Sequence, residues 1–171
     1  MHPHPQGPSP ALFFDTISAY QRTEALRAAI ELDVFSHIAA GRQTATELAQ
    51  ACQAAPRGIR ILADSLTILG FLHKRGDRYE LTVDSKLFLD RASPAYLGGA
   101  VGFMLAPGMR ASFEHLTAAV RRGGTALSDE GTVSHDNPIW VEFARAMAPL
   151  MRMPAQLLAG LVGGATGRPP R

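Results

Sequence analysis

Between Thr44 and Thr82 the chain carries a run of start and stop signals whose order narrows the fold more than any other feature. Thr44 and Glu47, in TATE, have the spacing of a capping box that satisfies two orphan backbone donors, so a helix is predicted over TELAQAC. Pro56 suits the first position of a second helix, in which Ile59, Leu62, Leu66 and Leu69 recur at helical spacing before Gly70 closes it. FLHKR and RYELT then flank Gly76 and Asp77, a two-residue hairpin turn, with Tyr79 and Leu81 alternating inward on the returning strand. Helix, turn, helix, hairpin is the order of a winged helix. The fold class expected is therefore mainly α, a winged helix with additional N-terminal and C-terminal helices.

The flanking sequence fits that frame. ALFFDTISAY and QRTEALRAAIEL read as two helices, the second with Glu24, Arg27 and Glu31 on one charged stripe. DVFSHIAAG reads as a third, with Asp33 as N-cap and Gly41 as stop. The second half is helical and more apolar. Ser93 and Pro94 start one segment, Pro107 another that runs to Gly123, and Asn137 with Pro138 a third, reached through the polar loop GGTALSDEGTVSHDNP. The last helical region holds Glu142, Arg145, Arg152 and Gln156 on a narrow polar stripe, with Pro149 and Pro154 dividing it. A segment apolar on so many sides needs a cover. At 171 residues and 46% hydrophobic content the chain is large enough to fold alone. The division expected is a disordered tail over 1–10, a winged-helix domain over 11–92, a helical region over 93–162 and a linker over 163–171.

Composition removes several classes of function. The opening MHPHPQGPSP lacks the basic start and apolar run of an export signal, and the most apolar stretch, 96–109, is too short for a membrane span, so a cytoplasmic protein without membrane attachment is expected. His2 and His4 in a tail make a weak metal site, and no metal is expected. The single cysteine, Cys52, reads as a small core residue. His135 and Asp136 suggest an acid-base pair, but a cap for the helix at Pro138 is the simpler reading, and His115 is assigned no chemistry. Arg57 and Arg60 at the front of the second helix, with His73, Lys74, Arg75 and Arg78 in the wing, are placed to meet phosphates. Asp64, the lack of long polar readers and the Pro-Arg-Gly opening weigh against base recognition. A winged-helix DNA-binding transcriptional regulator stays open as the alternative.

The end of the chain, LVGGATGRPPR, has the glycines of a nucleotide loop but not its setting. A dinucleotide cradle needs a strand before the glycines, a helix after them and an acidic residue about 20 positions on. Here no β-branched strand leads in and two prolines follow. Methionines and aromatics between Phe103 and Met153 suit an adaptable pocket for a flat apolar ligand, although each alone reads first as core.

AYQRTEALRAAIELDVFSHIA, TATELAQAC, RILADSLTILGFLHKRGDRYELT, LFL and the segment around WVEFARAM occur in an order that resembles the N-terminal part of S-adenosylmethionine-dependent O-methyltransferases. These enzymes modify small aromatic or polyketide hydroxyls in plant and bacterial secondary metabolism. The resemblance runs from Ala11 to Val162, and ELDVF, the Leu69-Gly70-x-Leu72 pattern and the wing from Tyr79 to Thr82 carry most of it. It implies an intertwined homodimer built by the first helices, through Phe13, Phe14, Ile17, Leu26 and Ile30, with Phe13 and Phe14 reaching into the partner subunit. It also implies that Phe103, Met104, Trp140, Phe143, Met147 and Met151 line a cover over a small apolar aromatic substrate. The family's acidic residue followed by G-x-G-x-G after a strand has no counterpart, and neither do its catalytic residues. No cofactor is therefore expected in this chain, S-adenosylmethionine belonging to a Rossmann-like domain that would follow. Alone, the chain is expected to be inactive as a methyltransferase.

Overall fold

The computed structural model describes residues 7–124 and, in the closing helical region, residues 141, 143–144, 147–148, 151, 155 and 158–161. The expectations for His2, His4, the loop after Gly124, the His135–Asp136 pair, Trp140 and the final glycines lie outside the described residues. The chain divides into two compact units, one through Lys86 and one from Leu87. Helices dominate both.

In the first unit α1 (Ala11–Ile17) and α2 (Ala19–Glu31) meet at Ser18, two residues earlier than the sequence suggests. The Thr16 hydroxyl bonds back to the Leu12 carbonyl, and Arg22 of α2 donates to the Asp15 carbonyl at 3.0 Å, so side chains satisfy carbonyls at the break. Arg27 bridges Glu24 and Glu31 at 2.7 and 2.6 Å, the stripe expected along α2. Asp33 holds the N-cap position of α3 (Val34–Ala39) but makes no side-chain capping bond; it turns the chain through a left-handed backbone at φ +56°.

Helix α4 (Ala45–Ala51) opens with the predicted capping box. Thr44 Oγ1 accepts from the Glu47 amide at 3.3 Å while the Glu47 carboxylate accepts from the Thr44 and Gln43 amides at 2.9 and 3.0 Å. Its other end is a Schellman motif, with Ala54 N–H on the Ala49 carbonyl and Gln53 N–H on the Gln50 carbonyl. Pro56 begins α5 (Pro56–Ile68), which closes in the same motif with Gly70 at φ +85°. Strands β1 (Leu72–Arg75) and β2 (Arg78–Leu81) pair antiparallel, Arg75 opposite Arg78, across Gly76-Asp77. A bridge from Arg78 to Thr44, and the Tyr79 amide on the Gln43 carbonyl at 2.7 Å, tie the hairpin to the entry of α4.

The core of this unit includes Ala29, Val34, Phe35, Leu48, Ala49, Ile59, Ala63, Leu66, Leu72 and Tyr79, each 2% exposed or less. It gathers one face from α2, α3, α4 and α5 and the inward positions of both strands. Phe71 packs edge-on against Phe35, with ring centroids 6.3 Å apart, and its carbonyl accepts from the Ser85 hydroxyl at 2.7 Å, anchoring the start of α6 (Val83–Phe88).

In the second unit Ser93 and Pro94 do not start a helix. The Ser93 hydroxyl donates to the Leu87 carbonyl at 2.5 Å and accepts from the Ala95 amide at 3.2 Å, while the Leu97 amide reaches back to the Phe88 carbonyl at 2.8 Å. These bonds wrap 93–97 around the end of α6, and α7 (Gly99–Met104) begins only after that turn. Pro107 starts α8 (Pro107–Glu114) as expected. His115 interrupts the run, and α9 (Leu116–Arg122) ends at Gly123, φ +72°.

Candidate interface and substrate-cover residues

Helix α1 buries no residue in this chain. Leu12, Phe13, Phe14, Ile17 and Tyr20 are all more than half exposed, and Phe13 and Phe14 stand edge to face with centroids 5.3 Å apart. So many large apolar groups in one short stretch form a patch of the kind that marks an interaction surface. Of the residues expected to serve a dimer, Phe13, Phe14 and Ile17 lie on this patch. Leu26 is half-buried, and Ile30, 8% exposed, lies in the core of its own unit.

In the second unit the structure brings Phe103 and Phe143 together, ring centroids 5.3 Å apart and planes 69° apart. Phe143, Met147 and Met151 are each helical and recur every fourth residue, the spacing of one helix face. Met104 and Met151 are exposed and Met147 is half-buried; Trp140 lies outside the described residues. An edge-on aromatic pair and adaptable thioethers are side-chain types that suit a flat apolar ring. Sequence reasoning did not single out Phe113, Leu116 and Val120, which are more than half exposed on α8 and α9. Their i, i+3, i+7 spacing was the available signal.

A polar cluster joins α5 to the hairpin. One oxygen of Asp64 accepts from Lys74 Nζ at 2.6 Å and from the buried Tyr79 hydroxyl at 2.7 Å, and Lys74 also lies 5.1 Å from the Tyr79 ring centroid. The bond from Lys74, then that from Tyr79, holds the Asp64 carboxyl below the usual range, and Asp64 in turn raises the Lys74 ammonium. Burial raises the Tyr79 phenol. A cleft of about 310 Å³ opens beside this cluster, lined among others by Thr44, Thr46, Arg60 and Asp77.

The cations placed by the sequence to meet phosphates are largely engaged within the chain. Lys74 and Arg60 reach Asp64, Arg75 reaches Glu80 at 3.4 Å, and Arg78 donates to the Gln43 amide oxygen at 2.7 Å. Arg57 and His73 are exposed. Cys52 is half-buried, donates to the Leu32 carbonyl at 3.2 Å and has its thiol pushed up by burial, the direction that disfavours the thiolate. Among the described residues no group of three or more His, Cys, Asp or Glu is arranged to hold a metal, and no helix is long and apolar enough to cross a membrane.

Known proteins resemble this chain in sequence and in fold. The family model of the O-methyltransferase dimerisation domain matches residues 14–91. A solved protein of Nostoc punctiforme described as an O-methyltransferase is 52% identical, with a TM-score of 0.85 over 92% of this chain and 48% of its own. The tetracenomycin polyketide synthesis 8-O-methyl transferase of Streptomyces glaucescens is 31% identical over 76% of this chain and 38% of its own length. The 3-hydroxy-5-methyl-1-naphthoate 3-O-methyltransferase of Streptomyces sahachiroi is 36% identical over 57% and 28%. The chain thus spans about half of the solved relative and less of the curated ones.

Proposed function

From the premise that residues 14–91 are an O-methyltransferase dimerisation domain, we propose that this chain is the dimerisation and substrate-cover region of an S-adenosylmethionine-dependent enzyme methylating a small aromatic or polyketide hydroxyl. The observation that carries the reading is the uncovered apolar face of α1, inside or beside the matched segment, which a second copy of the chain would bury. In this proposal the helix-helix-hairpin core is a winged helix turned to protein contact, and the first helices of two chains intertwine.

The second unit supplies the wall of the substrate site. Phe103 edge-on to Phe143, with Met104, Met147 and Met151 nearby in sequence or on the same helix side, supports a planar, apolar ligand. The naphthoate in the name of one curated relative has a planar aromatic ring system, and the name of another refers to polyketide synthesis. We assign cofactor binding and methyl transfer to a Rossmann-like domain of the family type, so the 171 residues alone bind and orient but do not transfer. Two measurements decide this. Light scattering at micromolar concentration is expected to return twice the chain mass, and a clean monomer would overturn the dimer. Calorimetry with S-adenosylmethionine is expected to show no binding to this chain, and a saturable isotherm would overturn the division of labour.

A further inference from the structure

Helix α5 turns a second apolar face outward. At about 100° per residue Gly58, Ile61, Ser65 and Ile68 fall within roughly an 80° arc, on the side away from the core residues Ile59, Ala63 and Leu66. Ile61 is 48% exposed and Ile68 86%, and a Cβ built on Gly58 would meet nothing within 4 Å. The Ser65 hydroxyl is spent on the Ile61 carbonyl at 2.9 Å, so between the two isoleucines the arc carries no unspent polar group. Arg57 borders the arc on one side, and Asp64, on that same side, is held by Lys74. In a winged helix that reads DNA this is the face that enters the major groove, where long polar side chains meet the base edges. Two isoleucines, a glycine and a self-bonded serine suit a protein surface instead.

The patch on α1 does not supply a whole interface. Leu12, Phe13, Phe14, Ile17 and Tyr20 together expose roughly 700 Å², and because the first three follow one another around the helix, one contacting surface meets only part of that area. Permanent homodimers bury about 1,000 Å² or more of each chain. The remainder has to come from elsewhere in the segment matched by the dimerisation-domain model, which spans α5 from end to end. Helix α2 packs against both α1 and α5, so neighbouring helices carry the two exposed faces. We propose that the Ile61–Ile68 face of α5 is a second contact surface for another copy of this chain, separate from α1. The inference rests on the dimer reading of the first unit.

The test measures the dissociation constant of the 171-residue chain by sedimentation at several concentrations. The variants are Ile61→Ser, Ile68→Ser and the pair together, with Val83→Ser, 84% exposed on α6, as control. Because both isoleucines are exposed, each variant should keep the far-ultraviolet circular dichroism of the unsubstituted chain, which separates lost association from lost folding. Ile68→Ser is expected to raise the constant roughly tenfold and the pair to raise it further, the effect of keeping a large aliphatic side chain out of a contact. Val83→Ser should leave the constant unchanged. Should Ile61→Ser, the less exposed position, lose its dichroism, Ile68→Ser alone decides. An unchanged constant in Ile68→Ser would overturn the α5 surface while the dimer stands, and would leave the face to a different partner. An equal rise in Val83→Ser would overturn it as well, because association would then follow exposed apolar area in general. A monomeric unsubstituted chain would remove the dimer reading and this inference with it, an outcome seen before any substitution is made.

Discussion

Gln53 occupies a position that glycine normally takes. It is the left-handed residue, φ +51°, in the Schellman motif that ends α4, while the equivalent motif of α5 uses Gly70. Glutamine carries a Cβ that costs roughly 1–2 kcal/mol in this backbone region, and glycine offsets part of that gain through its greater unfolded-state freedom. Gln53→Gly should therefore stabilise by a few tenths to about 1 kcal/mol, read as a raised urea midpoint at unchanged slope. At the other end of α4, hydrogen bonds from the Thr44 amide, the Thr44 hydroxyl and the Gln43 amide hold the Glu47 carboxyl below its ordinary range. Its folded pKa is the lower one, so its contribution is complete above the unfolded value of about 4.3 and is lost as pH falls through the folded value. Glu47→Gln should flatten the acid limb of a stability-pH curve, and leave a curve with the original steepness only if the box is not formed in solution. The box was legible because both partners lie within one turn and their types are diagnostic. Gln53 was not, because nothing in its side chain announces a positive φ.

Among elements, the joint between α5 and the hairpin depends on Asp64. Removing the Tyr79 hydroxyl deletes one bond while Lys74 still satisfies the carboxylate, so Tyr79→Phe should cost about 1 kcal/mol. Asp64→Ala removes the acceptor and strands a buried hydroxyl, and should cost about 1–3 kcal/mol. Chemical denaturation of both variants should reproduce that order, and the double variant should cost less than the sum of the two. The elements here were readable from local punctuation: Pro56, Gly70 and Gly76-Asp77 each act within a few residues. Asp64 was instead read as an obstacle to DNA contact, because Lys74 and Tyr79, which share one of its oxygens, lie 10 and 15 positions away and only the folded hairpin brings them to it. Ser93-Pro94 misled for a related reason. Its local signal favours a helix start, yet bonds to the carbonyls of Leu87 and Phe88 hold the chain in a turn.

At the level of the whole molecule, the apolar face of α1 should govern association. Burying an aromatic side chain contributes about 1.5–3 kcal/mol, so Phe13→Ser or Phe14→Ser should raise the dissociation constant of the proposed dimer roughly tenfold or more, measured by sedimentation at several concentrations. An unchanged constant would place the interface elsewhere. The order ELDVF, capping box, Pro56 helix and hairpin pointed to the family whose dimerisation-domain model matches residues 14–91, because those signals are specific in combination. They were less able to separate inward from outward apolar positions on the first helices: Ile30 turned into its own core, whereas Phe13, Phe14 and Ile17 turned out. Helical periodicity defines a face, and what the face meets is settled by tertiary packing.

A seven-residue helix without buried side chains has little reason to hold its shape in water by itself, since nucleation is costly and packing supplies most helical stability. If a second chain provides that packing, α1 is ordered only while the two are together. Dilution would then be a local unfolding experiment: the amides of 11–17 would exchange with solvent faster as protein concentration falls, while those of the Leu48–Leu66–Tyr79 core would keep one rate throughout.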